Sequence, residues 1–118
     1  MISVIIPVYN DRDHITQCLN SIFNCNFKKQ FEVIVVDDGS SDGLEKIVSS
    51  FSCRFISTGR NSGPGAARNL GAEFAKGDIL AFVDSDCVVS ENWLPVIDNI
   101  FLNNKIKAIA GGFSGNPF

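Results

Sequence analysis

Two periods alternate along the chain. Ile2 to Val8, Glu32 to Val36, Arg54 to Ser57, Ile79 to Val83 and Lys107 to Ala110 are short runs, mostly apolar and rich in β-branched or aromatic residues. Such runs predict strands covered on both faces, as those of parallel sheets are. Between them, apolar residues recur at helical spacing. Ile15, Cys18, Leu19, Ile22 and Phe23 predict a helix with Asn10 or Asp11 as its cap, and Leu44, Ile47, Val48 and Phe51 a second, with Asp42 and Glu45 as a capping-box variant. Ala67, Leu70, Gly71 and Phe74 predict a third that stops at Gly77; Trp93, Val96, Ile97, Ile100 and Phe101 predict a fourth after Ser90. The order β-α-β-α-β-α-β-α-β gives an α/β fold: a mostly parallel sheet with helices on both faces, joined by right-handed crossovers.

That topology changes how the polar residues read, because such sheets bind ligands outside the carboxyl ends of their strands, near a topological switch point. The polar clusters follow strands. Val8-Tyr9-Asn10-Asp11 follows the first, Asp37-Asp38-Gly39-Ser40-Ser41-Asp42-Gly43 the second, Gly59 to Arg68 the third and Asp84-Ser85-Asp86 the fourth.

Composition narrows the class. At 118 residues, 45% hydrophobic and 19% charged, the chain suits one globular domain without linker or repeat. Ten basic residues, scattered, against thirteen acidic ones give a net charge of -3, which argues against nucleic acid as a partner. Four cysteines lack CxxC spacing and His14 is the only histidine, so a zinc centre is not expected. The apolar start, Met1 to Pro7, has no basic flank and is too short to span a membrane. It reads as a strand, and the chain as cytoplasmic with reduced thiols.

Each polar cluster admits a plain and a chemical reading. Gly63-Pro64-Gly65-Ala66-Ala67-Arg68 imitates a dinucleotide fingerprint but puts Arg68 at the third glycine and follows the wrong strand. It is either a turn opening a helix, or a close approach to a ligand whose phosphate Arg68 pairs. Asp37 and Asp38 suit a turn, or offer a carboxylate to a base N–H or to ligand hydroxyls. Tyr9 is a rim aromatic, or a ring beside a base, with polar contacts from the backbone near Pro7 and Val8. Asp84 and Asp86 are a solvated turn, or oxygen ligands for Mg2+ or Mn2+, ions that bind substrate phosphate through one or two carboxylates. Like charges so close are unfavourable unless water or a cation screens them.

Four stretches together resemble the family 2 glycosyltransferases: Ser3-Val4-Ile5-Ile6-Pro7-Val8-Tyr9-Asn10, Val35-Val36-Asp37-Asp38-Gly39-Ser40-Ser41-Asp42, Asn61-Ser62-Gly63-Pro64-Gly65-Ala66-Ala67-Arg68-Asn69 and Asp84-Ser85-Asp86. They keep the family's order and cover nearly the whole chain. The resemblance implies a GT-A, Rossmann-like fold and an inverting, metal-dependent transferase. Its donor is a nucleotide diphosphate sugar, of the UDP type, and its acceptor a glycan or lipid-linked hydroxyl in cell-surface glycan synthesis. It further implies that Pro7, Val8 and Tyr9 flank the base, that Asp38 hydrogen-bonds it, and that Arg68 faces the nucleotide. Asp84, Ser85 and Asp86 form the DxD motif: Asp86 is the direct ligand of Mn2+ or Mg2+, and Asp84 reaches ribose or a water on the cation.

The family's general base lies downstream of the DxD motif, in the acceptor-binding half. The sequence printed stops at Phe118, so residues 1–118 are expected to be the donor-binding part of a truncated domain, with little or no turnover. Glu91 and Asp98 are expected to be solvated helix charges, not that base. An apolar face left bare by the missing half would favour a homodimer, and the full-length protein would work at the inner face of the membrane. The competing readings are a non-catalytic nucleotide-binding module and a nucleotidyltransferase; the latter carries a Gly-rich basic loop where this chain has Val8 to Asp11.

Overall fold

The computed structural model describes residues 1–103. Ile2–Val8 forms strand β1, every residue of it buried, which explains why the run is apolar without alternation. Helix α1 follows at Arg12–Phe23, then β2 at Phe31–Asp37, α2 at Leu44–Val48, β3 at Arg54–Ser57, α3 at Pro64–Phe74, β4 at Ile79–Phe82 and α4 at Trp93–Asn103. The four strands pair in parallel in the order β3-β2-β1-β4. Register aligns their carboxyl ends: Val8 sits opposite Asp37, and Asp37 opposite Ser57.

Right-handed crossovers fix the layers. From β1 the chain steps outward to β2 and β3, then recrosses to the far side of β1 as β4, so α3 must lie on the opposite face from α1 and α2. Alternation within β1 shows it. Ile2, Val4, Ile6 and Val8 pack with Ile15, Leu19, Ile22, Leu44 and Leu94, whereas Ile5 packs with Ala67 and, at its edge, Leu70. Each fully buried Ile, Leu or Val stabilises the fold by about 1.5–3 kcal/mol, so the first layer dominates. α3 approaches the sheet closely because Gly71 lacks a side chain: a Cβ there would stand 2.5 Å from a methyl of Ile5 and 3.0 Å from one of Val36.

At the amino edge of the sheet, polar groups hold the α3–β4 connection. Ser3, buried on β1, donates to Glu32 at 2.6 Å and accepts from the Gly77 N–H at 2.8 Å, while Glu32 also meets the Lys76 N–H and Arg54. Burial works against ionisation of Glu32, yet those donors outweigh it and hold its carboxyl below the ordinary value. A Cβ at Gly77 would collide with the Met1 carbonyl.

Several expected boundaries shift. α2 ends at Val48 instead of reaching Phe51, and its cap is Gly43 in the left-handed region, not Asp42 in a capping box. α3 ends at Phe74, with Ala75 already extended before Gly77. β4 stops at Phe82, one residue early, although the Val83 N–H still donates to Ile5. Asp98 is no free surface charge; it pairs with Lys29 at 2.7 Å and ties α4 to the loop after α1. The strand expected at 107–110 lies outside the described residues. Leu80 and Phe82, on the α3 side of the edge strand β4, are 40% and 39% exposed. All four cysteines are free, and no helix among the described residues is long and apolar enough to cross a membrane.

Candidate functional site

Strands β1, β2 and β4 end around a cleft of about 440 Å³. All eight residues singled out from the sequence, Pro7, Val8, Tyr9, Asp38, Arg68, Asp84, Ser85 and Asp86, line it. Asn10, Asp11, Asn61, Pro64 and Ala67, which sequence reasoning did not single out as site residues, line it too.

The loops after β1 and β2 are laced together. The Asn10 N–H donates to Ser40 Oγ at 2.8 Å, and Asn10 Oδ1 accepts from the Ser41 N–H at 2.8 Å. Asn10 takes φ 49°, a left-handed conformation that Asn tolerates better than most residues. Asp42 accepts from the Arg12 N–H at 3.0 Å and thereby caps α1 from another loop. Asp11, expected as that cap, makes no side-chain cap bond. Its carboxylate instead joins His14 and accepts from the Ser85 hydroxyl at 2.7 Å. Ser85 thus commits its proton to Asp11 and ties the Asp84–Asp86 turn to the start of α1.

Asp38 is buried at the end of β2 and holds the loop before α3. Its carboxylate accepts from Thr58 Oγ1 at 2.8 Å, the Ser62 N–H at 2.9 Å and the Gly63 N–H at 2.8 Å. Burial disfavours the charge, but these three donors outweigh it, and the carboxyl lies below its ordinary value. The sequence alternatives of turn former and acceptor therefore meet in one residue, whose acceptors serve the protein's own backbone. Gly63, at φ 99°, supplies the bend, and Pro64 opens α3 where its missing N–H costs nothing.

Asp84 and Asp86 lie beyond β4 in a turn, closed by the Cys87 N–H donating to the Asp84 carbonyl at 3.0 Å. The turn, not strand alternation, brings the acids together. Arg68 reaches down from α3 to Asp84 at 3.5 Å, a partly exposed contact that adds little stability by itself. The carboxylates of Asp84 and Asp86 and the Cys87 Sγ lie within 4.8 Å of one another. Two exposed carboxylates so placed fit a hard divalent cation that keeps some of its waters. Cys87 as a neighbour of the pair had no sequence signal beyond adjacency.

Residues 3–115 match the model of Glycosyl transferase family 2. The chain belongs to that family. It is 42% identical over 99 residues to the glycosyltransferase AglE of Haloferax volcanii, covering 79% of this chain and 33% of AglE. Similarity to Staphylococcus aureus TarS, a poly(ribitol-phosphate) beta-N-acetylglucosaminyltransferase, reaches 40% over 98 residues, covering 78% of this chain and 17% of TarS. The crystal structure of TarS 1-349 in complex with UDP superposes with a TM-score of 0.83 at 35% identity, over 88% of this chain and 32% of that one. Glucosyl-3-phosphoglycerate synthase from Mycobacterium tuberculosis, in complex with Mn2+, UDP and glucosyl-3-phosphoglycerate, gives 0.72 at 28% identity, over 89% and 40%. The fold is GT-A, as the four motifs had implied. The chain spans a third or less of AglE and TarS.

Proposed function

We propose that this chain is the donor-binding part of an inverting family 2 glycosyltransferase that uses a UDP-sugar and Mn2+ or Mg2+ and builds a cell-surface glycan. The observation that carries the reading is the convergence of four strand-end loops on one cleft, with Tyr9, Arg68, Asp84 and Asp86 all on its walls. The UDP bound to TarS and the Mn2+ and UDP bound to the mycobacterial synthase support it.

In this reading the base lies against Tyr9, which is 49% exposed and free to offer a ring face, beside the backbone of Pro7 and Val8. Asp38 accepts three hydrogen bonds, which leaves room for about one more donor, a base N–H. Arg68 leaves Asp84 and pairs with the diphosphate, a stronger partner than one exposed carboxylate. Asp86 and Asp84 hold the cation. When bound, that ion offsets charge gathering on the departing diphosphate. The acceptor hydroxyl needs a base. Asp38 is committed to backbone donors and Asp11 to Ser85 and His14, so the base belongs to the acceptor-binding part, which residues 1–118 do not include. The chain alone binds donor and turns over little, and the whole enzyme works at the cytoplasmic face of a membrane.

Calorimetric titration of UDP with Mn2+, with EDTA, and with Asp86→Ala tests this. Binding that needs the metal and is lost in the variant is expected. Equal UDP binding with EDTA would overturn the metal's role, and no binding by either the folded chain or a full-length enzyme carrying it would overturn the nucleotide reading.

A further inference from the structure

The chemistry above leaves unused a thiol at the acid pair. Cys87 Sγ donates to Asp86 Oδ1 at 3.7 Å, and its sulfur and the two carboxylates lie within 4.8 Å of one another. The carboxylates are exposed and the sulfur is buried, so the sulfur forms the floor of the group and the oxygens its rim. The turn that closes on the Asp84 carbonyl fixes all three side chains on four consecutive residues. Cys18, also buried, points its Sγ at the Asp84 carbonyl at 3.6 Å and is taken up by the backbone of the turn.

Taking Asp84 and Asp86 as cation ligands, we propose that Cys87 is a third, soft donor at the same site, making it selective for thiophilic divalent cations such as Cd2+, Zn2+ and Co2+. Two carboxylates alone favour Mg2+ or Mn2+ weakly, with waters filling the remaining positions. A sulfur ligand changes the order, since thiolate strongly prefers the softer ions and offers little to Mg2+. On ligation the thiol proton passes to water. Cd2+ and Zn2+ therefore displace Mn2+ from the cleft and hold it against UDP-bound Mn2+.

The test titrates Co2+ and Cd2+ into the chain, followed by sulfur-to-metal charge-transfer absorption and by calorimetry, beside Mn2+ titrations. The absorption is expected in the unaltered chain, Cys25→Ser and Cys53→Ser, and lost in Cys87→Ser. It is also lost in Asp86→Asn, an exposed change that leaves the core alone. Cys87→Ser should weaken Cd2+ binding by about 10- to 100-fold, the range for altering a group at a metal site, and leave Mn2+ binding unchanged. Absorption that survives Cys87→Ser, or equal Cd2+ affinity in that variant, overturns the proposal. If Mn2+ binds and Asp86→Asn abolishes it, yet no sulfur absorption forms, Cys87 is excluded and the cation reading stands; if the folded chain binds no cation, both fall.

Discussion

The carboxylate of Asp38 accepts the backbone N–H of Gly63 at 2.8 Å, joining the end of β2 to the first turn of α3. Asp38→Ala strands that N–H, the Ser62 N–H and the Thr58 hydroxyl together. An unsatisfied buried donor costs about 1–3 kcal/mol, so the variant should lose at least about 2 kcal/mol in urea unfolding. UDP binding should fall with it. A variant of unchanged stability would mean that the loop before α3 holds itself.

Acid should weaken the same clamp. Because the folded carboxyl of Asp38 lies below its ordinary value of 3.8, its contribution is full above that value and fades as pH falls through the lower folded one. Glu32, depressed likewise from 4.5, shares this limb. Stability measured from pH 6 down to about pH 2 should drop, and Asp38→Asn should flatten part of the drop. An unchanged slope in that variant would contradict the account.

His14 offers an opposite sign. Its hydrogen bond to Asp11, and then the charge of Asp11, raise its pKa above the ordinary 6.5. The pairing therefore favours the fold below 6.5 and is lost as pH climbs through the raised folded value. As the only histidine, it gives one imidazole signal by NMR. Its midpoint should lie above 6.5 and return toward it in Asp11→Asn; a midpoint that ignores the substitution would dissolve the pair in solution.

Two glycines of α3 should part company. Gly71→Ala forces the helix off Ile5 and Val36, and overpacking of this kind costs about 1–3 kcal/mol. Since Pro64, Ala67 and Arg68 ride on the same helix, donor binding should weaken as well. At Gly65 nothing lies within 4 Å of an added Cβ, and Gly65→Ala should leave stability unchanged or raise it slightly. Thermal melts of both decide it, and equal losses would refute the close-approach argument.

Sequence alone carried the strands and the chosen edge of the sheet. Ile2 to Val8 is legible because a strand buried on both faces needs apolar residues throughout, and the motif loops are legible because they follow such runs. Caps that cross between loops are not. Asp42 stands 30 residues from Arg12, and its spacing to Glu45 suggested a local box that the left-handed Gly43 replaced. Asp11 and Ser85 are 74 apart, so nothing along the chain marked Asp11 as a support for the acid turn. Asp98 looked like an ordinary helix charge for the same reason: Lys29, its partner, lies across the fold.

The lacing of Asn10 to Ser40 and Ser41 sets the tempo of recognition. Both loops are held before any ligand arrives, so encounter need not wait for them to assemble. Association should then run at similar rates for donors that differ only in their sugar. Discrimination among them falls to residence time, to how long each stays once seated.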